Sequence, residues 1–261
     1  MSESIIQRAV ELNDSVLAEE ALREIDIRLS SSPDENERGY LLFSKASCYR
    51  ILGDFEQARR QLRIALGDNP NSDTQTTFDF MQGLLSEQEG KHAEALEKFD
   101  RTLSAHAELI KRPEMREIYE DIQQRRAFLM VTLSKFGEAV PILTETLSFS
   151  LDEQVRSDIF CSLGMCHLEL KEYSAARDHL LQAMTIGLTK KWEGAAHFYL
   201  GIAYFHSDMI QESKREFQKC EELATLHPLP IADVYSWLSS ISRRLGDLSE
   251  SKRYAMLAKR N

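Results

Sequence analysis

A pair of small side chains twelve residues apart recurs along this chain. With the alanine of "FEQA" as anchor, equivalent positions are Ala21, Ala58, Ala95, Ala139, Ala176, Ser213 and Ser251. Twelve residues before them stand Ala9, Ala46, Gly83, Ala127, Gly164, Gly201 and Ser239. Four residues after them come Ile25, Leu62, Phe99, Leu143, Leu180, Phe217 and Ala255. Small residues on two adjacent helices let the backbones approach, and large apolar residues one turn away fill the space beside them. Five residues before the anchor, glycine or a polar residue is usual, as at Gly53, Gly90, Ser134, Lys171, Asp208 and Gly246. Glycine there suits the end of one helix and the turn into the next. The pattern predicts a helical hairpin written seven times.

The hairpin resembles the tetratricopeptide repeat family. The stretch "YLLFSKASCYRILGDFEQARRQLRIALGDNP" carries the resemblance almost throughout, including Tyr49, Ala65 and Pro70. The stretch "IFCSLGMCHLELKEYSAARDHLLQAM" matches as well, with His167 where the family usually has an aromatic. The anchors lie 37, 37, 44, 37, 37 and 38 residues apart, against about 34 in the family. Three extra residues are nearly one helical turn, so the faces stay in register. The first repeat has Arg28 where alanine is expected, and the last has Ser242 and Ala255 in large positions. With no linker between repeats, the expected architecture is all-α. It is one domain over residues 1–261, a right-handed superhelical solenoid of about fourteen antiparallel helices. The longest helices are expected around Pro113, inside the 44-residue gap. Pro141 is expected in the first turn of a helix, and Pro228 and Pro230 should break the chain before the last hairpin.

Several function classes fit poorly. A net charge of −10 repels nucleic acid unless a local basic patch exists. The segment 238–260 is basic and could be read as a helix-turn-helix, but it fits the seventh repeat at the same offset. No apolar run is long enough to span a membrane, and the N-terminus "MSESIIQRAVELND" shows no secretory pattern. Cys48, Cys161, Cys166 and Cys220 form no CxxC pair and read as reduced thiols, so a cytoplasmic protein is expected. HExxH, GxSxG, GxxxxGK[ST] and GxGxxG are absent. Cys161, Cys166 and His167 diverge around a helix and do not converge on a metal. The expectation is a protein that is not an enzyme, with no cofactor and no metal.

What remains is a binding surface. A solenoid's first helices line an extended concave face. In the tetratricopeptide family its positions lie three before and one after the small residue. Here the first set is Ile6, Phe43, Phe80, Gln124, Cys161, Phe198 and Ser236, and the second is Val10, Ser47, Leu84, Phe128, Met165, Ile202 and Ser240. Both are mainly apolar. From them, Phe43, Phe80, Leu84, Phe128, Met165, Phe198 and Ile202, with Arg125, are the expected groove for a peptide or amphipathic protein segment. Arg125 is the one basic residue near these positions, so a carboxylate clamp for a chaperone tail is not expected. The alternatives are a constitutive subunit of a larger assembly or a homo-oligomer joined through its terminal repeats, and, by analogy of repeat length, a peptide-sensing regulator.

Overall fold

The computed structural model describes residues 5–67, 71–110, 112, 115–150, 152–190, 192–224 and 230–260. Among these, all regular structure is helical. The hairpins are α1 (Ile5–Leu12) with α2 (Ser15–Ser30), α3 (Glu35–Ile51) with α4 (Phe55–Leu66), and α5 (Ser72–Gln88) with α6 (His92–Ala105). After a short α7 (Ala107–Ile110) come α8 (Arg116–Thr132), α9 (Phe136–Phe149), α10 (Glu153–Glu169), α11 (Tyr173–Ile186), α12 (Glu193–His206), α13 (Ile210–Leu223), α14 (Ile231–Arg244) and α15 (Leu248–Arg260). The chain divides into two compact units, one ending at Ile122 and one beginning at Gln123. In the first, α1–α2, α3–α4 and α5–α6 pack as pairs, and α2 on α3 and α4 on α5 join neighbours. In the second, α10–α11, α12–α13 and α14–α15 are the pairs, joined in series by α9 on α10, α11 on α12 and α13 on α14.

One turn geometry closes every hairpin. The residue five before the anchor is left-handed: Gly53, Gly90, Ser134, Lys171, Asp208 and Gly246 all have φ between 58° and 83°. The next backbone N–H then donates to the carbonyl five residues back, as from Asp54 to Tyr49 (2.9 Å), Glu172 to His167 (2.8 Å) and Asp247 to Ser242 (2.9 Å). This is the Schellman closure of a helix end. In the first hairpin the left-handed residue is Asn13, with φ 49°, and the bond runs from Asp14 to Ala9. By that register the anchor is Ala18, three residues before Ala21, and the residue twelve before it is Ile6. Ala18 and Ala21 are both fully buried. They share a face three residues apart, so the pattern alone does not separate them.

The small residues do what their spacing demands. A Cβ added to Gly83 would meet the Phe99 ring at 2.4 Å, and one on Gly201 would meet Phe217 at 2.9 Å. Phe99 and Phe217 are the large residues four past the anchor, and both are fully buried. Where the first helix carries Ala46 or Ala127, the partner position holds the smaller Leu62 or Leu143. Serine anchors add a hydrogen bond: Ser213 Oγ donates to the Gly201 carbonyl at 2.7 Å, and Ser239 Oγ to the Ser251 carbonyl at 2.9 Å. The Ser239–Ser251 bond sets the basic segment 238–260 in the chain as a packed hairpin. His167 fills its aromatic position by stacking on His179, centroids 5.1 Å apart, with Nδ1 2.6 Å from a Glu172 carboxylate oxygen.

Two expectations about proline-bearing stretches are corrected. The extra residues of the long gap do not lengthen the flanking helices: α8 has 17 residues, as do α3, α5 and α10, and α6 has 14. They form α7 instead. His106 leaves helical geometry and its Nε2 lies 3.3 Å from Asp79 on α5, which fixes the break. Pro141 is the sixth residue of α9, beyond the first turn. Its missing N–H would have met the carbonyl of Gly137, and both residues are exposed, so the lost bond falls on the solvent side of the helix, where it costs least. Pro230 immediately precedes α14, as expected. Pro70, Pro113 and Pro228 lie outside the described residues.

Hairpins within a unit are also tied by charge. Arg59 on α4 meets Glu89 at the end of α5 at 2.5 Å, and Lys214 on α13 meets Glu250 on α15 at 2.5 Å. The Arg59 guanidinium, hydrogen-bonded to Glu89, holds that carboxyl down to about 2, against an ordinary 4.5. A lowered folded value stabilises the protein above the unfolded value, and that contribution disappears as pH falls from 4.5 towards 2. Chemical denaturation across that range should show a smaller acid loss in Glu89→Gln than in wild type; parallel curves would refute the link. Gly83→Ala should lower unfolding free energy by about 1–3 kcal/mol through overpacking. Gly137→Ala, with nothing within 4 Å of the added methyl, should raise it by about 0.5–1 kcal/mol. Urea titrations giving both the same sign would contradict the steric account.

Candidate functional site

The first helix of each hairpin has one face turned to its partner and another left over. Taking the small residue as zero, positions +1, −2, −3 and −6 lie about 60–160° round the helix from it at 100° per residue. In the first unit these positions converge. Ile6 and Gln7 of α1, Tyr40, Phe43, Ser44 and Ser47 of α3, and Thr77, Phe80 and Met81 of α5 line a pocket of about 480 Å³. Ile118 of α8 completes it. Exposure follows the angle. Position −3 is nearest the packing face, and there Phe80 is 9% exposed, whereas Tyr40 at −6 is 51% exposed; Ile6, at zero in the register set by its turn, is fully buried.

The second unit repeats the arrangement on a smaller scale. Phe198 at −3 of α12 joins Asp233, Ser236, Trp237 and Ser240, at −6, −3, −2 and +1 of α14, around a pocket of about 230 Å³. Behind it Trp237 stacks on Phe217 at 5.7 Å, and Phe198 meets Phe217 edge-on at 5.8 Å. The two pockets obey one rule of position, which is the strongest sign that this face is built and not incidental.

The sequence-derived groove residues separate into three groups. Phe43 and Phe80 line the larger pocket and Phe198 the smaller. Leu84 is 7% exposed and is a core residue of α5. Ile202 is half-buried and packs against the cores around Phe217 and Leu168. Arg125 and Phe128 on α8 and Met165 on α10 are half-buried and lie outside both pockets. Tyr40, Thr77, Met81 and Ile118 escaped the sequence reading, and Trp237 stood out there only as a docking residue of the last hairpin. Two of the signals were available: −6 and −2 share the face with −3 and +1.

Other chemistry is quiet. Burial pushes the thiols up, Cys48 to about 11 and Cys166 and Cys220 to about 12, so they are poor nucleophiles at neutral pH. Among the described residues no group of three or more His, Cys, Asp or Glu could hold a metal ion. No described helix is long and apolar enough to cross a membrane.

A profile of the Tetratricopeptide repeat family matches residues 46–109, from the small residue of α3 to α7. That stretch is therefore similar to tetratricopeptide repeats. The chain's fold is similar to that of the apo form of RapI, with a TM-score of 0.73 at 12% identity over 97% of this chain and 73% of that one. It is also similar to the C-terminal part of a TPR repeat-containing protein from Cytophaga hutchinsonii (TM-score 0.62, 13% identity, 95% and 91% covered). PilF of Pseudomonas aeruginosa gives 0.59 at 15% identity, with 87% and 92% covered. At such identities the likeness speaks for the fold of tandem helical hairpins alone.

Proposed function

We propose that this chain is a non-catalytic adaptor that binds a peptide or protein segment on the groove face of its first unit. One observation carries the reading: an open pocket of about 480 Å³, walled by three consecutive first helices and Ile118, with Tyr40 exposed at its mouth. An aromatic side chain left in water beside an apolar pocket is an unfilled contact. Phe80 is a poor handle for testing this. Its ring supports Phe99 at 6.1 Å, so its truncation would cost about 3–5 kcal/mol of stability. Tyr40 is the better one. With a photo-crosslinking benzoylphenylalanine at position 40, one discrete adduct is expected in native cell extract. It should be lost when Phe43→Ser is added, and no adduct should form from the same label at Arg101. Equal labelling from both positions would overturn the groove assignment.

A second reading, a subunit of a larger assembly or a homo-oligomer, is favoured by α15. Leu248 and Met256 there are each 62% exposed, and Lys252 and Arg253 beside them are exposed as well. Apolar side chains set among cations suit a protein contact. Light scattering should then give a multiple of the chain mass for wild type and the single mass for Met256→Glu. A monomeric wild type at micromolar concentration would remove this reading.

A further inference from the structure

We propose that the segment held by the first unit is cationic as well as apolar: a large apolar side chain lying next to a lysine or arginine. This rests on the groove reading above and names the chemistry of its partner. The apolar pocket is not isolated. A second pocket, of about 390 Å³, adjoins it and shares Tyr40, Phe43 and Thr77.

Across that shared wall the lining changes character. The first pocket has no charged side chain. The second has two carboxylates, Glu35 and Asp73, with the amides Asn36 and Asn71, and no cation. Both carboxylates are exposed and stand in the first turns of α3 and α5. Among the described residues neither has an ion-pair or side-chain hydrogen-bond partner. Nearby acids are different: Glu37 pairs with Arg28 at 2.5 Å and Asp26 with Lys45 at 2.5 Å. The two unpaired carboxylates therefore stand at the groove, while their neighbours spend their charge inside the unit.

Tyr40 belongs to both pockets. An exposed aromatic ring beside carboxylates recognises an ammonium or guanidinium by its π face while the carboxylates supply the counter-charge. A segment that seats an apolar side chain against Phe43, Phe80 and Met81 places its next residue across Tyr40. A cation there meets complementary charge, and an acid there meets two like charges, so the same residues select and reject.

Three capped dipeptide amides test this: acetyl-Phe-Lys, acetyl-Phe-Glu and acetyl-Ala-Lys, titrated into the full chain while the Met81 methyl resonance is followed by NMR. Phe-Lys is expected to shift that resonance and to bind about tenfold more tightly than Phe-Glu, the size of effect two screened surface charges give. The double variant Glu35→Gln, Asp73→Asn, with its far-UV circular dichroism unchanged, should shrink the difference to under about twofold. If Phe-Lys and Phe-Glu bind alike in wild type, the cationic inference is overturned and the groove stands. If Ala-Lys moves Met81 as strongly as Phe-Lys, the apolar anchor is overturned. If none of the three moves Met81, the groove reading itself falls.

Discussion

The structure depends on a steric exchange between two helices. One helix gives up its side chain at a fixed position so that a large side chain from the next can rest on its backbone. Gly83 beneath Phe99 and Gly201 beneath Phe217 show the exchange at its fullest. Gly164 beneath Leu180 shows it with an aliphatic partner. Close-packed interiors tolerate neither a void nor an overlap, so the two positions are coupled, and the hairpin has one register in which both are satisfied. The serine anchors add a polar lock to the same contact, since Ser213 reaches the Gly201 carbonyl. Loop chemistry is subordinate. The left-handed position that closes each hairpin accepts glycine, but also Ser134, Lys171 and Asp208. At those sites packing supports a backbone conformation that their side chains disfavour by about 1–2 kcal/mol.

The candidate groove is a consequence of that exchange. A helix that commits one face to its partner must present another about 60–160° away, and successive first helices present it side by side. Residues on its inner edge belong partly to the core, and for that reason Phe80 is buried while Tyr40 is exposed. The groove thus combines a buried apolar floor with an exposed aromatic rim. Such a floor holds an apolar anchor at little cost in ordering. In the proposed complex, selectivity comes from what surrounds the floor, and in the first unit that is a pair of carboxylates at two helix starts.

Much of this was legible in the residue order. The offset of twelve, the large residue four past the anchor, and the glycine or polar residue five before it each became a contact or a dihedral in the structure. These are local relations, within one hairpin, and a helix's period converts them directly into faces. Where the reading slipped, the deciding interaction was not local. Ala18 and Ala21 are both buried alanines on one face, and only the hydrogen bond from Asp14 to Ala9 separates them. Pro141 sits beyond the first turn on the exposed side of α9, as Gly137 does, and which side that is depends on packing. Leu84 and Ile202 looked like groove residues by position and are held by the core instead.

By itself, then, the sequence determined the helical hairpin and its repetition, because small and large residues at fixed spacing admit one way for two helices to touch. It also determined which side of each first helix would be left over. Tertiary structure alone decided which leftover residues meet. Ile6, Phe43, Phe80 and Ile118 come from four helices spread over more than a hundred residues of chain, and no periodicity in the sequence records that they share a wall. Nor does it record that Glu35 and Asp73 border that wall unpaired. Charge and cavity are properties of neighbours in space, and packing chooses the neighbours.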